Sequence, residues 1–337
     1  MKAVILNEFG PPGVLHLAEV ATPEPGPGEV LIKVHAVSVN RTLDLVVRAG
    51  TYARKPVLPH VLGVDPAGIV TAVGPGVTGR KIGDRVVTRP VVGLDERGAH
   101  RLLGVSVWGG YAEYVKVPAN VTHIIPDTLD FKTAVVVARH APLAFAQLRD
   151  RAKVQPGEWV LVMGAAGGLG SAAVQIAKHL GAKVIAGAGG DERVAAAMAL
   201  GADAGVNYRS QDLTAEVMRI TQGAGVNVVI ENIGDPDLFA KAFATIALRG
   251  RLVTAGGHGG GTVPLDVKRL YLNHITIIGA PSETGVDVDM SLRVAAEGRL
   301  KVMVDQVLPL SQAAHAHELV DARGGLGKVL LDPTRFD

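Results

Sequence analysis

A glycine-rich turn in the middle of the chain has the residue types and the spacing of a phosphate-binding loop. Ala165, Gly167 and Gly170 occupy the three glycine positions of the pattern G-x-G-x-x-G, and Gly168 and Leu169 lie between the last two. Glycine at the second position lets the backbone approach a pyrophosphate, and at the third it lets the next helix pack closely on the strand. The free N–H groups and positive dipole end of that helix would face the phosphates. The turn therefore predicts dinucleotide binding, with a purely structural glycine turn as the alternative.

The residues after the next strand indicate which dinucleotide would bind. A helix predicted to begin at Ser171 is followed by an apolar strand at residues 182–186, which completes a βαβ unit. An NAD site usually has Asp or Glu at the end of this strand, where the carboxylate accepts hydrogen bonds from the ribose 2′-hydroxyl. The chain has Ala188 and Gly189 there, and Arg193 follows with a guanidinium that can bind a 2′-phosphate. The sequence therefore predicts NADP(H) as the cofactor.

Two kinds of secondary-structure pattern must position these residues. From about residue 125, apolar strands alternate with helical segments, and we predict six strands at residues 159–163, 183–186, 204–207, 226–231, 251–255 and 275–278. This alternation is typical of a doubly wound parallel sheet of the Rossmann type. Before about residue 124, short apolar runs separated by Gly- and Pro-rich turns predict a compact, mostly-β domain. The predicted fold class is therefore α/β, with a Rossmann sheet and a second, mostly-β domain.

Composition and charge exclude several classes of protein. The 337 residues suffice for two domains, and the net charge of +2 gives no reason to expect nucleic acid or an anionic membrane as a partner. The absence of cysteine excludes disulfides, thiolate nucleophiles and thiolate metal sites. Residues 159–177 carry no charge, but their strand-turn-helix pattern indicates a buried unit and not a membrane span. The N-terminus shows no secretory signal pattern, so we expect a cytoplasmic protein.

Several motifs resemble, in the same order, those of the medium-chain dehydrogenase/reductase superfamily. They lie in residues 3–40, 62–87 and 165–186, and the resemblance extends from residue 1 to residue 330. Membership implies a GroES-like catalytic domain, a Rossmann cofactor domain and an active site in the cleft between them. The domain bounds that we predict with it are 1–124 for the catalytic domain, 125–300 for the cofactor domain and 301–337 for a return to the catalytic domain.

The residues at the zinc positions of the superfamily differ from those of its zinc-dependent branch. That branch has a cysteine in the segment matched by residues 39–41, a Gly-His-Glu triplet matched by residues 63–65, and a four-cysteine lobe matched by residues 91–110. This chain has Asn40 and Val64 where the first cysteine and the histidine would lie. It therefore resembles the zinc-independent quinone oxidoreductase branch, which includes enone and enoyl reductases.

The histidines do not suggest a replacement for the missing cysteines. None of the 11 histidines shows a convincing metal-ligand spacing. His315 and His317 lie in a predicted helix, where residues two apart point in different directions. His60 precedes the altered triplet and is predicted to have a packing or surface role. No metal site is predicted.

Asn40 and Tyr52 are the predicted catalytic residues. Hydride addition to a carbon–carbon double bond conjugated to a carbonyl needs a hydrogen bond to the carbonyl oxygen and a proton source. Asn40 can donate that hydrogen bond, and Tyr52 matches a tyrosine that donates the proton or positions the substrate in enoyl reductases of this branch. Asp44 follows Asn40 by four residues where the branch has three, so either Asn40 or Arg41 would face the substrate. Val46 stands where quinone oxidoreductases often have tyrosine, which weakens the case for a quinone.

The resemblance also assigns further residues to the cofactor. Arg193 stands where the branch has Lys or Arg for the 2′-phosphate, and Tyr208 matches a tyrosine that contacts the same group. Asn232, Gly256 and Gly257 end two later strands, and the matching segments of the family lie along the nicotinamide and its ribose. Roles in turns alone are the alternative for these last three residues.

Two other segments have open roles. The loop at residues 91–109 takes the place of the zinc lobe; it either borders the substrate cleft, with Trp108 as a wall, or is an ordinary surface lobe. A helix predicted at residues 130–148 contains Pro142, which is expected to kink it. Arg139 and His140 in this helix stand where most relatives have small apolar residues, so they would add polarity near the nicotinamide.

The sequence thus predicts a zinc-independent, NADPH-dependent reductase of quinones or α,β-unsaturated carbonyl compounds. An alcohol or carbonyl dehydrogenase of the same superfamily and a cofactor-binding protein with little catalysis are the alternatives. The expected partner is a small-molecule substrate, with no nucleic acid and no membrane. The resemblance further implies a homodimer that pairs through the strand at residues 275–278.

Overall fold

The structure is a computed structural model that describes residues 1–280, 282–322 and 324–337. It divides into two compact units. The first unit comprises Met1–Arg139 and Val302–Asp337, and the second unit comprises His140–Lys301. The domain bounds derived from the resemblance, at residues 124 and 300, stay a prediction. No helix in the described ranges is long and apolar enough to cross a membrane.

The strands are numbered β1 to β17 along the described chain. They are Lys2–Leu6, Leu15–Glu19, Glu29–Ser38, Ala67–Val73, Arg85–Thr88, Val91–Leu94, His100–Leu102, Tyr114–Pro118, Thr122–Ile124, Trp159–Met163, Lys183–Ala188, Ala204–Asn207, Val226–Ile230, Ile246–Thr254, Thr276–Gly279, Val304–Pro309 and Lys328–Asp332. The helices, α1 to α9, are Val46–Arg48, Phe131–Phe145, Gly168–His179, Asp191–Ala199, Leu213–Ile220, Pro236–Ala244, Val267–Leu272, Gly285–Ala296 and Ala313–Ala322.

The first unit is built on a mostly antiparallel sheet, as the Gly- and Pro-punctuated pattern predicts. Its strands follow the order β16-β17-β3-β4-β5-β9, and β8 also pairs with β3. The long strand β3 is buried along most of its length because it lies inside this sheet. The apolar run at residues 110–117 forms a strand only in its later part. The N–H groups of Gly110 and Tyr111 bind the carbonyls of Gly63 and Leu62, so the strand begins only at Tyr114.

The second unit is a doubly wound parallel sheet, which confirms the predicted fold class. Its six strands follow the order β12-β11-β10-β13-β14-β15, with a helix between most neighbours along the chain. Buried apolar side chains of β10 lie at its centre. The strand order reverses between β10 and β13, and ligands of open α/β sheets bind at the carboxyl ends of strands at such a reversal. The glycine-rich turn follows β10 at this edge.

Three local features differ from the expectations or refine them. Residues Arg41–Leu45 form a π-helical turn in which the Leu45 N–H reaches the Asn40 carbonyl at 3.3 Å. A π turn contains one more residue than an α turn, so it accommodates the extra residue between Asn40 and Asp44. Helix α3 begins at Gly168 and not at Ser171, whose hydroxyl donates to the Gly168 carbonyl. Pro142 lies inside α2 without ending it.

Candidate active site

Four polar side chains of the first unit form a buried network at the end of β3. Ser38 is the last residue of β3, Asn40 follows it, and Asp65 precedes β4. The Asp65 carboxylate accepts hydrogen bonds from the Ser38 N–H at 2.9 Å and from the Ser38 hydroxyl. The Asn40 side-chain N–H₂ donates to the Asp65 carboxylate at 3.1 Å. Lys328, the first residue of β17, completes the network.

Lys328 reaches this network because β17 pairs antiparallel with β3. The register places Leu330 opposite Ser38, and the Val39 N–H donates to the Val329 carbonyl. The Lys328 ammonium donates to the Asn40 side-chain oxygen at 2.8 Å and to the Val39 carbonyl at 3.0 Å. Burial lowers the pKa of Lys328 to about 8, against the opposing effect of the nearby Asp65 charge. The ammonium is therefore held by specific acceptors in a site that disfavours its charge.

Asp44 connects the π turn to the altered triplet. Its carboxylate accepts the Asn40 backbone N–H at 2.8 Å and the Gly63 N–H at 3.0 Å. Burial, followed by the charge of Asp65, raises the pKa of Asp44 to about 7, although these hydrogen bonds favour the ionised form. Arg139 adds a positive charge, with its Nε 3.8 Å from Asp65. The network and its neighbours Asp44 and Arg139 thus combine two carboxyl groups with two basic side chains.

The structure distinguishes Asn40 from Arg41. Asn40 is only 2% exposed and lies in the network. The Arg41 guanidinium donates to the Val320 and Asp321 carbonyls of α9, 3.4 Å from each, and is partly exposed. The π turn therefore keeps Asn40 beside Asp65 despite the extra residue. The hydrogen bonds of the Asn40 amide in this structure are made to protein groups and not to a substrate. Its catalytic role therefore stays a prediction.

Tyr52 lies outside the network. Its backbone N–H binds the Val46 carbonyl at 3.1 Å, and its partly buried ring packs against the core of the first unit. Among the described residues, no hydrogen bond joins its hydroxyl to Asn40 or Lys328. The proton-donor role of Tyr52 stays a prediction.

A second buried polar cluster in the first unit contains His317. Its Nδ1 lies 3.3 Å from the Arg48 guanidinium and its Nε2 lies 3.2 Å from the Tyr111 hydroxyl. Because Arg48 can only donate, Nδ1 must accept and Nε2 must carry the proton. Burial and the Arg48 charge lower the pKa of His317 to about 3, so the imidazole is neutral. His60 is also buried, and its backbone pairs with Leu6, which fits a packing role.

In the second unit, the glycines of the turn after β10 lie where side chains would collide. A Cβ on Gly170 would lie 2.1 Å from the Gly164 carbonyl oxygen, and one on Gly168 would lie 2.4 Å from His140 Nε2. A Cβ on Gly167 would lie 3.3 Å from the Gly164 oxygen. Ala165 is fully buried. Gly168, Leu169 and Gly170 form the first turn of α3, whose N–H groups have no partner within the helix.

Two side chains lie against Gly189 just after β11. A Cβ on Gly189 would lie 3.0 Å from the Tyr208 ring and 3.2 Å from Arg209 Nε. Burial raises the pKa of Tyr208, whereas the nearby charges of Arg209 and Arg193 lower it. The Tyr208 hydroxyl and the Arg209 guanidinium therefore lie at the same place beside Gly189. Such a group of donors suits a phosphate.

The charge of Asp191, which follows Gly189 and Gly190, has a partner outside this arrangement. The Asp191 carboxylate accepts a hydrogen bond from the Asn207 side chain at 2.7 Å. Asp191 also lies in the first turn of α4, where a negative charge stabilises the helix. Its charge is thus engaged in local structure.

The predicted residues at the ends of β13 and β14 lie close together. The Asn232 side-chain oxygen accepts the Ala255 N–H at 2.8 Å and a hydrogen bond from Gln147 at 2.8 Å. A Cβ on Gly256 would lie 2.5 Å from the Asn232 carbonyl oxygen. A Cβ on Gly257 would lie 3.1 Å from Gly261 Cα. Close backbone approach therefore requires glycine at position 256.

Trp108 lines a cavity of the first unit. The cavity has a volume of about 440 Å³, and its walls include Val61, Leu103, Trp108 and Tyr114. The indole N–H of Trp108 donates to the Pro59 carbonyl at 3.2 Å. Strands β6 and β7 form a two-stranded ribbon in the loop that precedes it.

Several residues of these sites were not predicted as site residues. They are Ser38, Asp65, Lys328, Gln147 and Arg209. Arg209 follows the predicted cofactor residue Tyr208 in the sequence, and this adjacency could have identified it. Asp65 is the last residue of the altered triplet. Lys328 gave a weaker signal, as a single basic residue at the start of an apolar strand.

Comparison with known proteins agrees with both units. Residues 26–127 match the alcohol dehydrogenase GroES-like domain family, and residues 168–292 match the zinc-binding dehydrogenase family. A human quinone oxidoreductase is 33% identical over 98% of this chain and 97% of its own length. The chain belongs to the medium-chain dehydrogenase/reductase superfamily. It is therefore an oxidoreductase-family protein with a pyridine nucleotide-binding fold.

Solved structures of this superfamily have the same fold. A structure of an NAD-dependent alcohol dehydrogenase is 38% identical, covers 98% of this chain and 99% of its own, and has a TM-score of 0.90. A structure of Escherichia coli quinone oxidoreductase complexed with NADPH is 28% identical, covers 99% of this chain and 100% of its own, and has a TM-score of 0.82. Both activities thus occur among similar proteins of the superfamily.

The side chains around Asn40 do not provide a ligand set for the zinc ion after which the zinc-binding dehydrogenase family is named. Asn40, Val64 and Asp65 stand at the positions that the resemblance matches to zinc-binding segments, and Val64 offers no donor atom. The Asp65 carboxylate is already bonded by Ser38 and Asn40. Within residues 1–280, 282–322 and 324–337, no group of three or more His, Cys, Asp or Glu side chains could hold a metal ion.

Proposed function

We propose that the protein is an NADPH-dependent, zinc-independent reductase of quinones or α,β-unsaturated carbonyl compounds. The observation that carries the proposal is the closed network at Asn40, in which an amide and a hydrogen-bonded carboxylate stand at positions matched to zinc-binding segments. An alcohol dehydrogenase of the zinc branch depends on a Lewis acid at the substrate oxygen. A conjugated carbonyl needs only a hydrogen-bond donor there, which an amide provides.

NADPH is the proposed cofactor because the second unit has a suitable group for each part of it. NADPH, when bound, supplies the hydride. The pyrophosphate would be held by the first-turn N–H groups of α3. The 2′-phosphate would be held by Arg193, Tyr208 and Arg209, with no carboxylate at Ala188 to repel it. The nicotinamide ribose would lie along Asn232, Gly256 and Gly257.

Asn40 and Tyr52 are proposed to act on the substrate. The Asn40 N–H₂ has two protons, and its nitrogen lies 3.0 Å from the Ser38 hydroxyl, 3.2 Å from the Ser38 carbonyl and 3.1 Å from Asp65. The bond to the Asp65 carboxylate is charge-assisted and therefore the stronger one. The proton that faces Ser38 would be the one left to donate to a substrate carbonyl oxygen. Tyr52 or water would then protonate the reduced substrate.

The alcohol or carbonyl dehydrogenase reading is the second candidate. It is supported by the 38% identity to an NAD-dependent alcohol dehydrogenase. It predicts turnover of plain alcohols and ketones, a preference for NAD(H), and loss of activity with a chelator.

A homodimer is also part of the proposal. Strand β15 is the last strand of the second unit's sheet, and three of its four residues are exposed. An open strand edge of this kind is available for pairing with another chain. Light scattering coupled to size exclusion would give twice the monomer mass of 34.9 kDa for a dimer.

The decisive experiment is NADPH oxidation by chelator-treated protein, with NADH measured in parallel. The substrates are a quinone, a short enone, a 2-enoyl thioester and a plain ketone. We expect turnover of the enone, thioester or quinone with NADPH preferred, and a reduced rate in Tyr52→Phe and Asn40→Ala. Activity that appears only after zinc is added, or only with plain ketones, would favour the dehydrogenase. Binding of NADPH without any turnover would contradict both.

A further inference from the structure

The Asn40 amide lies between two opposite charges. Its nitrogen donates to the Asp65 carboxylate at 3.1 Å, and its oxygen accepts from the Lys328 ammonium at 2.8 Å. An ammonium cannot accept a hydrogen bond and a carboxylate cannot donate one, so only one orientation of the amide satisfies both neighbours. Both bonds are charge-assisted, which makes them stronger than neutral hydrogen bonds. The two charges therefore fix the orientation of Asn40.

The Lys328 ammonium also interacts electrostatically with the Asp65 carboxylate. The other basic group nearby, Arg139, has its Nε 3.8 Å from Asp65, which is beyond hydrogen-bond distance. The charged and titratable groups that act on Lys328 are Asp65, Asp44 and Arg139. Removal of Lys328 would take away one of the positive charges that act on Asp65, in a region of low dielectric.

A partly buried lysine is costly, and the fold gives Lys328 specific partners. Desolvation of an ammonium costs several kcal/mol unless hydrogen bonds and opposite charges compensate it. Lys328 uses two of its three N–H groups on Asn40 and Val39. An apolar residue of similar length would avoid the desolvation cost. A charge at this position therefore points to a role beyond packing.

We propose that Lys328 is a positioning residue, whose ammonium fixes the Asn40 amide and balances Asp65 in place of the metal cation used by zinc-dependent members of the superfamily. The proposal rests on the reductase function proposed above. Its consequence is that Lys328 acts on the substrate through Asn40, by presenting the Asn40 N–H in one direction. The hydrogen bond from Asn40 strengthens as negative charge develops on the substrate oxygen, so Lys328 should affect kcat more than KM.

The experiment compares Lys328→Met with Lys328→Arg in NADPH-dependent reduction of 2-cyclohexen-1-one and 1,4-benzoquinone. Methionine removes the charge and the donor at similar length, whereas arginine keeps both. We expect kcat to fall by about 100-fold in Lys328→Met with a small change in KM. Lys328→Arg should recover to within about tenfold of wild type, because it can still donate to Asn40. The NADPH Kd should be unchanged in both, since the cofactor residues belong to the second unit.

The pH profile is the readout that a purely structural role would not change. The pKa of Lys328 is about 8. The wild-type kcat/KM should therefore fall as the pH rises through about 8, because deprotonated lysine no longer balances Asp65. Arginine stays protonated over this range, so the alkaline fall should be absent from Lys328→Arg. This comparison remains valid if Lys328→Met does not fold.

The outcomes separate this proposal from the function on which it rests. Wild type that reduces neither substrate with NADPH would contradict the proposed function. Active wild type with Lys328→Arg as impaired as Lys328→Met, or with the alkaline fall kept in Lys328→Arg, would overturn the role of Lys328. Mass spectrometry of metal content gives a third result that does not depend on activity. Stoichiometric zinc retained by wild type after incubation with zinc chloride and desalting would overturn the claim that the ammonium replaces the metal.

Discussion

In the first unit, Ser38, Asn40, Asp44 and Asp65 are each at most 2% exposed and are satisfied by hydrogen bonds to one another or to nearby backbone. In the second unit, the turn after β10 is made of residues with little or no side chain, and its N–H groups at the start of α3 have no helical partner. In the first unit, polar side chains compensate one another's buried charges and hydrogen-bonding groups. In the second unit, the glycine turn leaves space where side chains would otherwise lie.

This difference predicts which kind of substitution should damage each site. A network of buried charges is sensitive to the removal of one partner, since the remaining charge is left uncompensated. A glycine turn is sensitive to the addition of a single methyl group, since the backbone cannot move away from it. Substitutions at either site should therefore separate the two kinds of sensitivity.

Removal of one charge from the network should have the largest effect. Asp65→Asn leaves Lys328 and Arg139 without their carboxylate and replaces an acceptor of the Ser38 N–H by an amide. We expect the free energy of unfolding to fall by about 3–5 kcal/mol, measured by urea denaturation at pH 7.

The same substitution at Asp127 is the matched control. The Asp127 side chain is fully exposed and forms only a 3.8 Å ion pair with Arg85. Asp127→Asn should leave the urea midpoint unchanged. A similar loss of stability in both variants would show that burial of the network is not the cause.

Addition of one methyl group to the glycine turn should have the next largest effect. Gly170→Ala places a Cβ 2.1 Å from the Gly164 carbonyl oxygen, so the start of α3 must shift. We expect a loss of about 3 kcal/mol in unfolding free energy and weak NADPH binding by fluorescence titration. Gly13→Ala, where nothing lies within 4 Å of the added Cβ, should change neither. Normal NADPH affinity in Gly170→Ala would contradict the role of this turn.

Acid should weaken the first unit through His317. The folded pKa of about 3 lies below the ordinary value of 6.5, so unfolding takes up a proton between these values and stability falls as the pH falls. Between about pH 7.5 and pH 5, the contribution of His317 should fall by about 2 kcal/mol, measured in urea titrations as the difference between wild type and His317→Gln. The difference is needed because the raised pKa of Asp44 acts with the opposite sign over this range in both proteins. His315→Gln, at a largely exposed position of α9, should keep the wild-type pH dependence; equal pH dependence in wild type and His317→Gln would refute the assignment.

Loss of one donor from the proposed 2′-phosphate site of the second unit should have the smallest effect. Arg209→Ala removes a guanidinium beside Gly189 and Tyr208. We expect the NADPH Kd to rise about tenfold with the NADH Kd unchanged, because only NADPH carries the 2′-phosphate. Arg219→Ala, which removes an exposed arginine paired with Glu216, should alter neither Kd. Equal weakening of NADPH and NADH binding in Arg209→Ala would show that Arg209 does not bind the 2′-phosphate.

Sequence patterns were sufficient for the second unit because its signals are local. The βαβ unit, the glycine spacing and the missing carboxylate at Ala188 all lie within about 30 residues. The bounds of β10 and β12 agree with the predicted strands, and the strand order is that of a doubly wound sheet. Arg209 was overlooked because a single arginine after a strand is indistinguishable from surface charge.

The first unit was predicted less completely, and the π turn shows why. The sequence revealed one extra residue between Asn40 and Asp44 but left open whether Asn40 or Arg41 faces inward. Hydrogen bonds from the Asn40 and Gly63 N–H groups hold Asp44 in place, so the extra residue is taken up by the turn. The π turn therefore depends on the hydrogen bond from Gly63, 19 residues from Asp44, and not on local propensity alone.

By itself, the sequence determined the two fold types, the superfamily and the glycine turn, because strand and helix periodicity and turn chemistry act over a few residues. Only the tertiary structure decided which charges meet. Lys328 and Asn40 are 288 residues apart, and they meet because β17 pairs with β3 in one register. The energy of a buried charge depends on the partners and solvent around it, and these are set by long-range packing.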